Sequence, residues 1–201
     1  MTFKLCGIKI EITFLFVAFL TFIISLNAPA NLLITVASSL LHEAGHLSML
    51  ILLNNKPQAV KFEIVGMNII RKQDLKISRK EEIAISLGGP LMNFVVVVAS
   101  CLLLTFYNNQ HVLTCACINL ILMTFNLLPI KMLDGGAILY FVLSAHFNSL
   151  LCRKILKVTS VIFIFIIYLW AFYVFVVTKY NISLIIIAIF LTISLFQEND
   201  Y

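Results

Sequence analysis

Charged residues are scarce in this chain of 201 residues: they make up 11% of it, whereas 62% is hydrophobic. A soluble domain is about 25% charged and about half apolar. So little polar surface cannot cover a water-soluble globule of this size. Disorder, collagen, a coiled coil and a disulfide-stapled secreted module are excluded by the same composition. The sequence therefore predicts an integral membrane protein.

Six apolar stretches are long enough to cross a hydrocarbon core of about 30 Å, which takes about 20 mostly apolar residues in a helix. We therefore expect an all-α membrane protein with about six transmembrane helices. Residues 1–201 are expected to form a single integral-membrane domain. The predicted spans cover residues 10–28, 31–53, 83–107, 112–129, 158–177 and 181–197.

The basic residues predict the orientation of these spans. If the N-terminus is cytoplasmic, every Lys and Arg except Lys179 lies on the cytoplasmic side. Because positively charged loops stay on that side of a membrane, both termini are expected there. The net charge of +5 then reflects this bias and contact with anionic lipid head groups. No nucleic-acid partner is predicted.

The connection between the second and third predicted spans contains two alternating segments. Val60–Val65 and Met67–Arg71 flank Gly66, which suits a tight turn. Alternating apolar and polar residues on both sides of a turn are typical of paired strands. We therefore predict a small β-hairpin between helices two and three.

Ionisable side chains are concentrated in the second predicted span, which reads His42-Glu43-Ala44-Gly45-His46. An unpaired ionisable group at membrane depth costs at least a few kcal/mol, so such groups are functional-site candidates. Residues four apart share one helix face, so His42 and His46 can bind one cation. In this motif the histidines bind zinc and the glutamate is the general base. The alternative is that the histidines only form hydrogen bonds to neighbouring helices. It is disfavoured because two histidines and a glutamate occur in the order of this motif.

A catalytic zinc site usually needs a third protein ligand besides the two histidines. Residues 126–136 offer a candidate, because Pro129 interrupts the fourth predicted span and two glycines follow. Non-helical backbone at membrane depth is tolerated only where it lines a buried or water-filled cavity. Asp134 is therefore predicted on a broken segment that faces a cavity, at the same cytoplasmic depth as His46. An ordinary loop-capping aspartate is the alternative.

These motifs resemble those of the site-2 proteases, a family of intramembrane zinc metalloproteases. The resemblance rests on residues 42–46, on residues 126–136 read as N-x-x-P-x-x-x-L-D-G-G, and on Gly-Gly-Pro-Leu-Met-Asn at residues 88–93. These motifs lie within residues 37–140, which form the core of the predicted metalloprotease domain.

The resemblance implies a metalloendopeptidase with one Zn²⁺ per chain, held by His42, His46 and Asp134, with Glu43 as the catalytic base. It also implies a membrane-associated protein or peptide as substrate, with membrane-protein inhibitors or regulators as partners. Asn93 and Asn126 are predicted to contact the substrate, with packing between helices as the alternative.

Six spans with a hairpin after the second are most similar to the sporulation branch of that family. The resemblance implies regulated intramembrane proteolysis of a sigma-factor precursor, in a bacterial cell membrane or the membrane around the forespore. Members of that branch commonly carry a nucleotide-sensing CBS domain after the last span. We expect none here, so control by ATP is not predicted.

Three alternatives remain open at this point. The third ligand could be a glutamate after the second histidine, namely Glu63, Glu81 or Glu82. The protein could instead be a divalent-metal transporter, although predicted spans five and six contain no ionisable residue to line a pathway. Finally, it could be a catalytically inactive relative that binds client proteins, which the intact ligands and base disfavour.

Overall fold

The structure is a computed structural model that describes residues 2–5, 8–13, 30–63, 66–70, 77–179 and 181–196. Within these ranges the chain is mostly helical, as predicted, with six α-helices and one four-stranded sheet. The chain divides into two compact units, residues 1–125 and 126–201.

A four-stranded sheet belongs to the first unit, with strand order β1-β2-β3-β4. The outer pairs are antiparallel and the central pair, β2 with β3, is parallel. Glu63 pairs with Gly66 at the tight end of β3 and β4, so the predicted hairpin is confirmed. The strands are β1 (Thr2–Leu5), β2 (Ile8–Ile12), β3 (Ala59–Glu63) and β4 (Gly66–Ile70).

The sheet corrects the start of the first predicted span. Residues 8–12 form β2, whereas the sequence predicted a membrane helix from residue 10. Their sequence, Ile-Lys-Ile-Glu-Ile, alternates with the period of two that is typical of a strand. Lys9–Ile12 pair with Ala59–Phe62 of β3. Residues 14–28 of that predicted span lie outside the described residues.

The helices of the first unit are α1 (Ala30–Leu52), α2 (Arg79–Phe106) and α3 (Gln110–Asn126). A capping box starts α2: the hydroxyl of Ser78 accepts from the amide of Glu81, and the Glu81 carboxylate accepts from the amide of Ser78 at 2.7 Å. A fully buried Asn119 on α3 donates to the hydroxyl of Ser38 on α1 at 2.8 Å. The capping box defines the start of α2, and the bond from Asn119 joins α3 to α1.

The second unit contains α4 (Asp134–Leu143), α5 (Ser149–Thr178) and α6 (Ser183–Phe196). The side chain of Asn148 caps α5 by accepting from the amide of Leu151 at 2.9 Å. Helix α5 packs on α6, with Ala171 and Ala188 fully buried.

Of the described helices, α2 and α5 are long and apolar enough to cross a membrane, whereas α3, α4 and α6 are shorter apolar helices. The count of six spans and their orientation therefore stay predictions. Two of the helix boundaries that differ from the sequence prediction have a local explanation. Helix α3 ends at Asn126, before Pro129, because proline has no amide for the helical ladder. Helix α5 starts nine residues earlier than residue 158, because basic side chains do not prevent helix formation.

Candidate metal centre

Helix α1 places His42 and His46 one turn apart with their Nε2 atoms 3.2 Å from each other. The side chain of His42 is buried, and the two ring planes are 83° apart. Two nitrogen ligands at 2.0–2.1 Å from a tetrahedral zinc ion lie about 3.3 Å from each other. The spacing of these two atoms therefore fits a shared cation.

The other ring nitrogens both contact α2. Nδ1 of His46 lies 2.8 Å from the carbonyl oxygen of Ile85. Because a carbonyl oxygen only accepts, His46 carries its proton on Nδ1, and its Nε2 lone pair is available to a metal. The amide nitrogen of Gly89 lies 3.3 Å from the same Nδ1, but the shorter contact with the carbonyl decides the tautomer. Nδ1 of His42 lies 3.2 Å from Nδ2 of Asn93.

Gly89 leaves the space into which the two Nε2 atoms point. A Cβ atom at this position would lie 2.6 Å from Nε2 of His42 and would also collide with Nε2 of His46. The next residue, Pro90, lies inside α2 and has no amide for the Ser86 carbonyl. The histidines therefore lie against a side of α2 where any side chain would collide with their Nε2 atoms.

These observations pass a chemical test for zinc. Two imidazoles present their Nε2 atoms at a tetrahedral spacing, and the backbone opposite leaves room beside them. The hydrogen bond from Nδ1 of His46 to the Ile85 carbonyl orients that ring as metal-binding histidines are oriented in known zinc sites. The donor set on α1 therefore fits the metal that the sequence motif predicts.

Glu43 lies next to His42 on α1 and is half-buried. Successive residues of an α-helix are about 100° apart, so its carboxyl group leaves the helix on the side adjacent to the histidine face. This is the position that the His-Glu-x-x-His pattern requires of a general base.

The second unit contains the break that the sequence predicted, between α3 and α4. Residues 127–133 are not helical, and they turn tightly through amide-to-carbonyl bonds from Ile130 to Leu128 and from Leu133 to Ile130, both 2.8 Å. A Cβ on Gly135 would collide with the Leu127 carbonyl, and one on Gly136 with the carbonyl of Ile130. Both glycines are therefore needed for this turn to fold back against the start of α4.

Asp134 is half-buried and is the first residue of α4, directly after the break in which the sequence predicted it. An acidic residue in the first helical turn is stabilised by the positive end of the helix dipole. The apolar residues that follow the two glycines, Ala137–Leu143, were the signal for this helix. Asn126, the other candidate in this region, is the last residue of α3 and is half-buried.

The alternative acidic ligands lie in different settings. The Glu81 carboxylate accepts the Ser78 amide in the capping box, so it is already used in starting α2. Glu82 follows it in the first turn of that helix. The side chain of Glu63, at the end of β3, is outside the part of the chain that the structure describes.

Sequence reasoning missed two contacts of the histidines. Gly88 provides a close approach to Gly45, whereas Gly89 leaves space at the imidazoles. Asn93 was predicted to contact substrate, and the structure places its side chain, 0% exposed, against His42. The substrate contacts of Asn93 and Asn126 stay predictions. The spacing of four between Gly89 and Asn93, equal to that between the histidines, was the available signal.

A family of membrane metalloproteases combines these features. The model of peptidase family M50 matches residues 108–170, which include the broken segment and Asp134. The chain belongs to this family, the site-2 proteases.

Two related proteins have sequences similar to this chain. A zinc metalloprotease of Methanocaldococcus jannaschii is 32% identical over 168 residues, which are 76% of this chain and 48% of the relative. Stage IV sporulation protein FB of Bacillus subtilis is 27% identical over 161 residues, 79% of this chain and 55% of the relative. The chain thus spans about half the length of these two proteins.

A solved structure is similar over the whole length. The site-2 protease from Methanocaldococcus jannaschii superposes with a TM-score of 0.66 at 27% identity, covering 100% of this chain and 95% of that one. The fold of the described residues is therefore that of a site-2 protease.

Proposed function

We propose that this protein is a zinc-dependent endopeptidase that cleaves membrane-associated proteins within or beside the bilayer. The pair of Nε2 atoms 3.2 Å apart, with Glu43 beside them on the same helix, carries the proposal. Membership of a metalloprotease family supports it, because the His-Glu-x-x-His motif at residues 42–46 is one of the motifs on which the resemblance to that family rests.

His42 and His46 supply two metal ligands in this proposal, and Asp134 supplies the third. The spacing from Asn126 through Pro129 to the two glycines supports Asp134, because it reproduces the family's second motif residue by residue. Its place in the first turn of α4, directly after the turn that Pro129 starts, also supports a fixed position for the carboxylate. Zinc, when bound, would polarise the scissile carbonyl and lower the pKa of a water toward about 7.

Glu43 acts as the general base and then the general acid. Its carboxylate accepts a proton from the attacking water and afterwards donates it to the leaving amine nitrogen. His46 keeps its proton on Nδ1 throughout, because the Ile85 carbonyl on α2 accepts that proton and holds the ring in one tautomer.

The proposed substrate is a membrane-associated protein or peptide, with membrane-protein inhibitors or regulators as further partners. Within this class we propose a sigma-factor precursor as substrate, in a spore-forming host. The resemblance to the sporulation branch supports this choice, and the similarity to stage IV sporulation protein FB agrees with it. The corresponding location is a multi-pass protein of the cell membrane, including the membrane around the forespore.

Co-expression with single-span candidate substrates tests the proposal. The wild-type protein is expected to yield shortened substrate, whereas Glu43→Gln should abolish cleavage and leave the purified protein loaded with zinc. Cleavage by Glu43→Gln at the wild-type rate would contradict the mechanism. Flux of zinc through proteoliposomes without cleavage would instead favour a transporter.

A further inference from the structure

Asn93 on α2 has a fully buried side-chain amide. Which end of this amide can bond to His42 depends on which ring nitrogen of His42 carries the proton. The Asn93 side chain is 0% exposed, and Nδ2 lies 3.2 Å from Nδ1 of His42. The other end of the amide, Oδ1, is buried and has no hydrogen-bond partner among the described residues. A buried polar group of this kind calls for a physical explanation.

The two ends of the amide correspond to the two neutral forms of the imidazole. An NH₂ group facing Nδ1 requires a lone pair there, which puts the His42 proton on Nε2 and blocks metal binding. A carbonyl oxygen facing Nδ1 requires the proton there, which leaves the Nε2 lone pair for a metal. The nitrogen and oxygen ends of the amide have nearly the same shape, so a half-turn exchanges them within one cavity.

The contacts of His46 indicate which of the two His42 tautomers suits a metal site. There the Ile85 carbonyl accepts the Nδ1 proton, and Nε2 is left for a ligand. Ile85, Gly89 and Asn93 are each four residues apart on α2, so they form one stripe that faces the two histidines. The same stripe supplies an acceptor for His46 and empty space at Gly89.

We propose that Asn93 is a positioning residue for metal binding: its carbonyl oxygen accepts the Nδ1 proton of His42 and so holds that ring in the metal-binding tautomer. This inference rests on the proposed function only in taking His42 as a metal ligand. An asparagine at this place orients the ring without adding a charge to a site that is predicted to lie at membrane depth.

Two substitutions of Asn93 distinguish a role as hydrogen-bond acceptor from a role in packing alone. Asn93→Asp keeps oxygen acceptors for the Nδ1 proton, whereas Asn93→Leu keeps the volume and removes the hydrogen bond. Asn119→Leu is the matched control, because Asn119 is equally buried and bonds Ser38 instead of a histidine. All variants are used as full-length protein purified in detergent.

The measurement is the dissociation constant of Zn²⁺, obtained by competition with a chromophoric chelator. Removing an outer partner of a metal-binding histidine typically weakens metal affinity about 10- to 100-fold. We expect this loss for Asn93→Leu, an affinity within a few-fold of wild type for Asn93→Asp, and no change for Asn119→Leu. Zinc affinity would then be retained with an acceptor at residue 93 and lost without one, and a role in packing alone does not explain this difference.

Each outcome decides one of the two proposals. If wild-type protein does not bind Zn²⁺, the proposed function fails, and the inference fails with it. If wild-type protein binds Zn²⁺ and Asn93→Leu binds equally well, or Asn93→Asp binds as poorly as a His42→Ala variant, only the inference is overturned. Nitrogen-15 spectra of the zinc-loaded wild-type histidines supply a test without substitution: a proton on Nδ1 of His42 is expected, and its absence contradicts the inference.

Discussion

Gly45 of α1 and Gly88 of α2 meet backbone to backbone: a Cβ atom on Gly88 would lie 2.6 Å from the carbonyl oxygen of Gly45. Small residues at such a crossing let two helices approach closely where lipid gives no hydrophobic drive for association. This approach brings the histidine face of α1 within hydrogen-bond distance of α2. The neighbouring glycines, Gly88 and Gly89, consequently have different roles that substitution can separate.

Alanine at residues 88 and 89 is expected to give two different defects. Gly88→Ala forces the helix backbones apart and should lower the free energy of unfolding by about 1–3 kcal/mol, as overpacking commonly does. Gly89→Ala instead places a methyl group at the two Nε2 atoms and should abolish zinc binding. Thermal unfolding in detergent and bound zinc per chain, measured for both variants, check this. Equal zinc content in Gly89→Ala and wild type would contradict it.

Loss of one histidine ligand should remove the metal without unfolding the protein. His46→Ala is expected to purify with less than a tenth of the zinc of wild type, because only two of the three protein ligands of the proposed site would remain. His111→Ala, in the exposed first turn of α3, is the control and should keep its zinc. Elemental analysis of both variants is the measurement. The prediction is wrong if the two contain the same amount of zinc.

The identity of the acidic ligand is tested by comparing Asp134→Ala with Glu81→Ala. The first should lose zinc and activity. The second removes half of the capping box, so it should lower the thermal midpoint slightly and keep its zinc. Zinc content together with the thermal midpoint distinguishes the two effects. A zinc-free Glu81→Ala beside a zinc-loaded Asp134→Ala would assign the ligand to α2.

Removal of the metal is expected to lower both stability and activity. A ligand present at 100 times its dissociation constant stabilises the folded state by about 2.7 kcal/mol. Treatment with a chelator should therefore lower the unfolding temperature and stop cleavage of a membrane-bound substrate, and added Zn²⁺ should restore both. Glu43→Gln serves as control: its unfolding temperature should respond to zinc although its activity does not. An unfolding temperature unchanged by chelation would speak against a bound metal.

Local sequence patterns were sufficient for the motif and for the hairpin. The spacing of four between His42 and His46 places them on one face of any helix, whatever surrounds it. Gly66 with alternating flanks likewise predicted β3 and β4. Both features depend on residues that are close along the chain.

Features that depend on contacts between distant parts of the chain could not be predicted from local sequence patterns. Strand β2 is five residues long and pairs with Ala59–Phe62, so its nature depends on a distant partner. The start of α4 was hidden by Gly135 and Gly136, which usually interrupt helices but here allow the turn to pack. The contact between Asn93 and His42 needs α1 and α2 to lie side by side in one register, which neither helix specifies alone.

The stripe of Ile85, Gly89 and Asn93 also restricts how α1 and α2 can move. Sliding α2 along α1 by one residue, about 1.5 Å, would bring the side chain of a neighbouring residue against the imidazoles and break the bonds at both Nδ1 atoms. This pair of helices is therefore expected to move as one rigid unit, so the movement that would admit a substrate in the proposed function is expected in other parts of the protein.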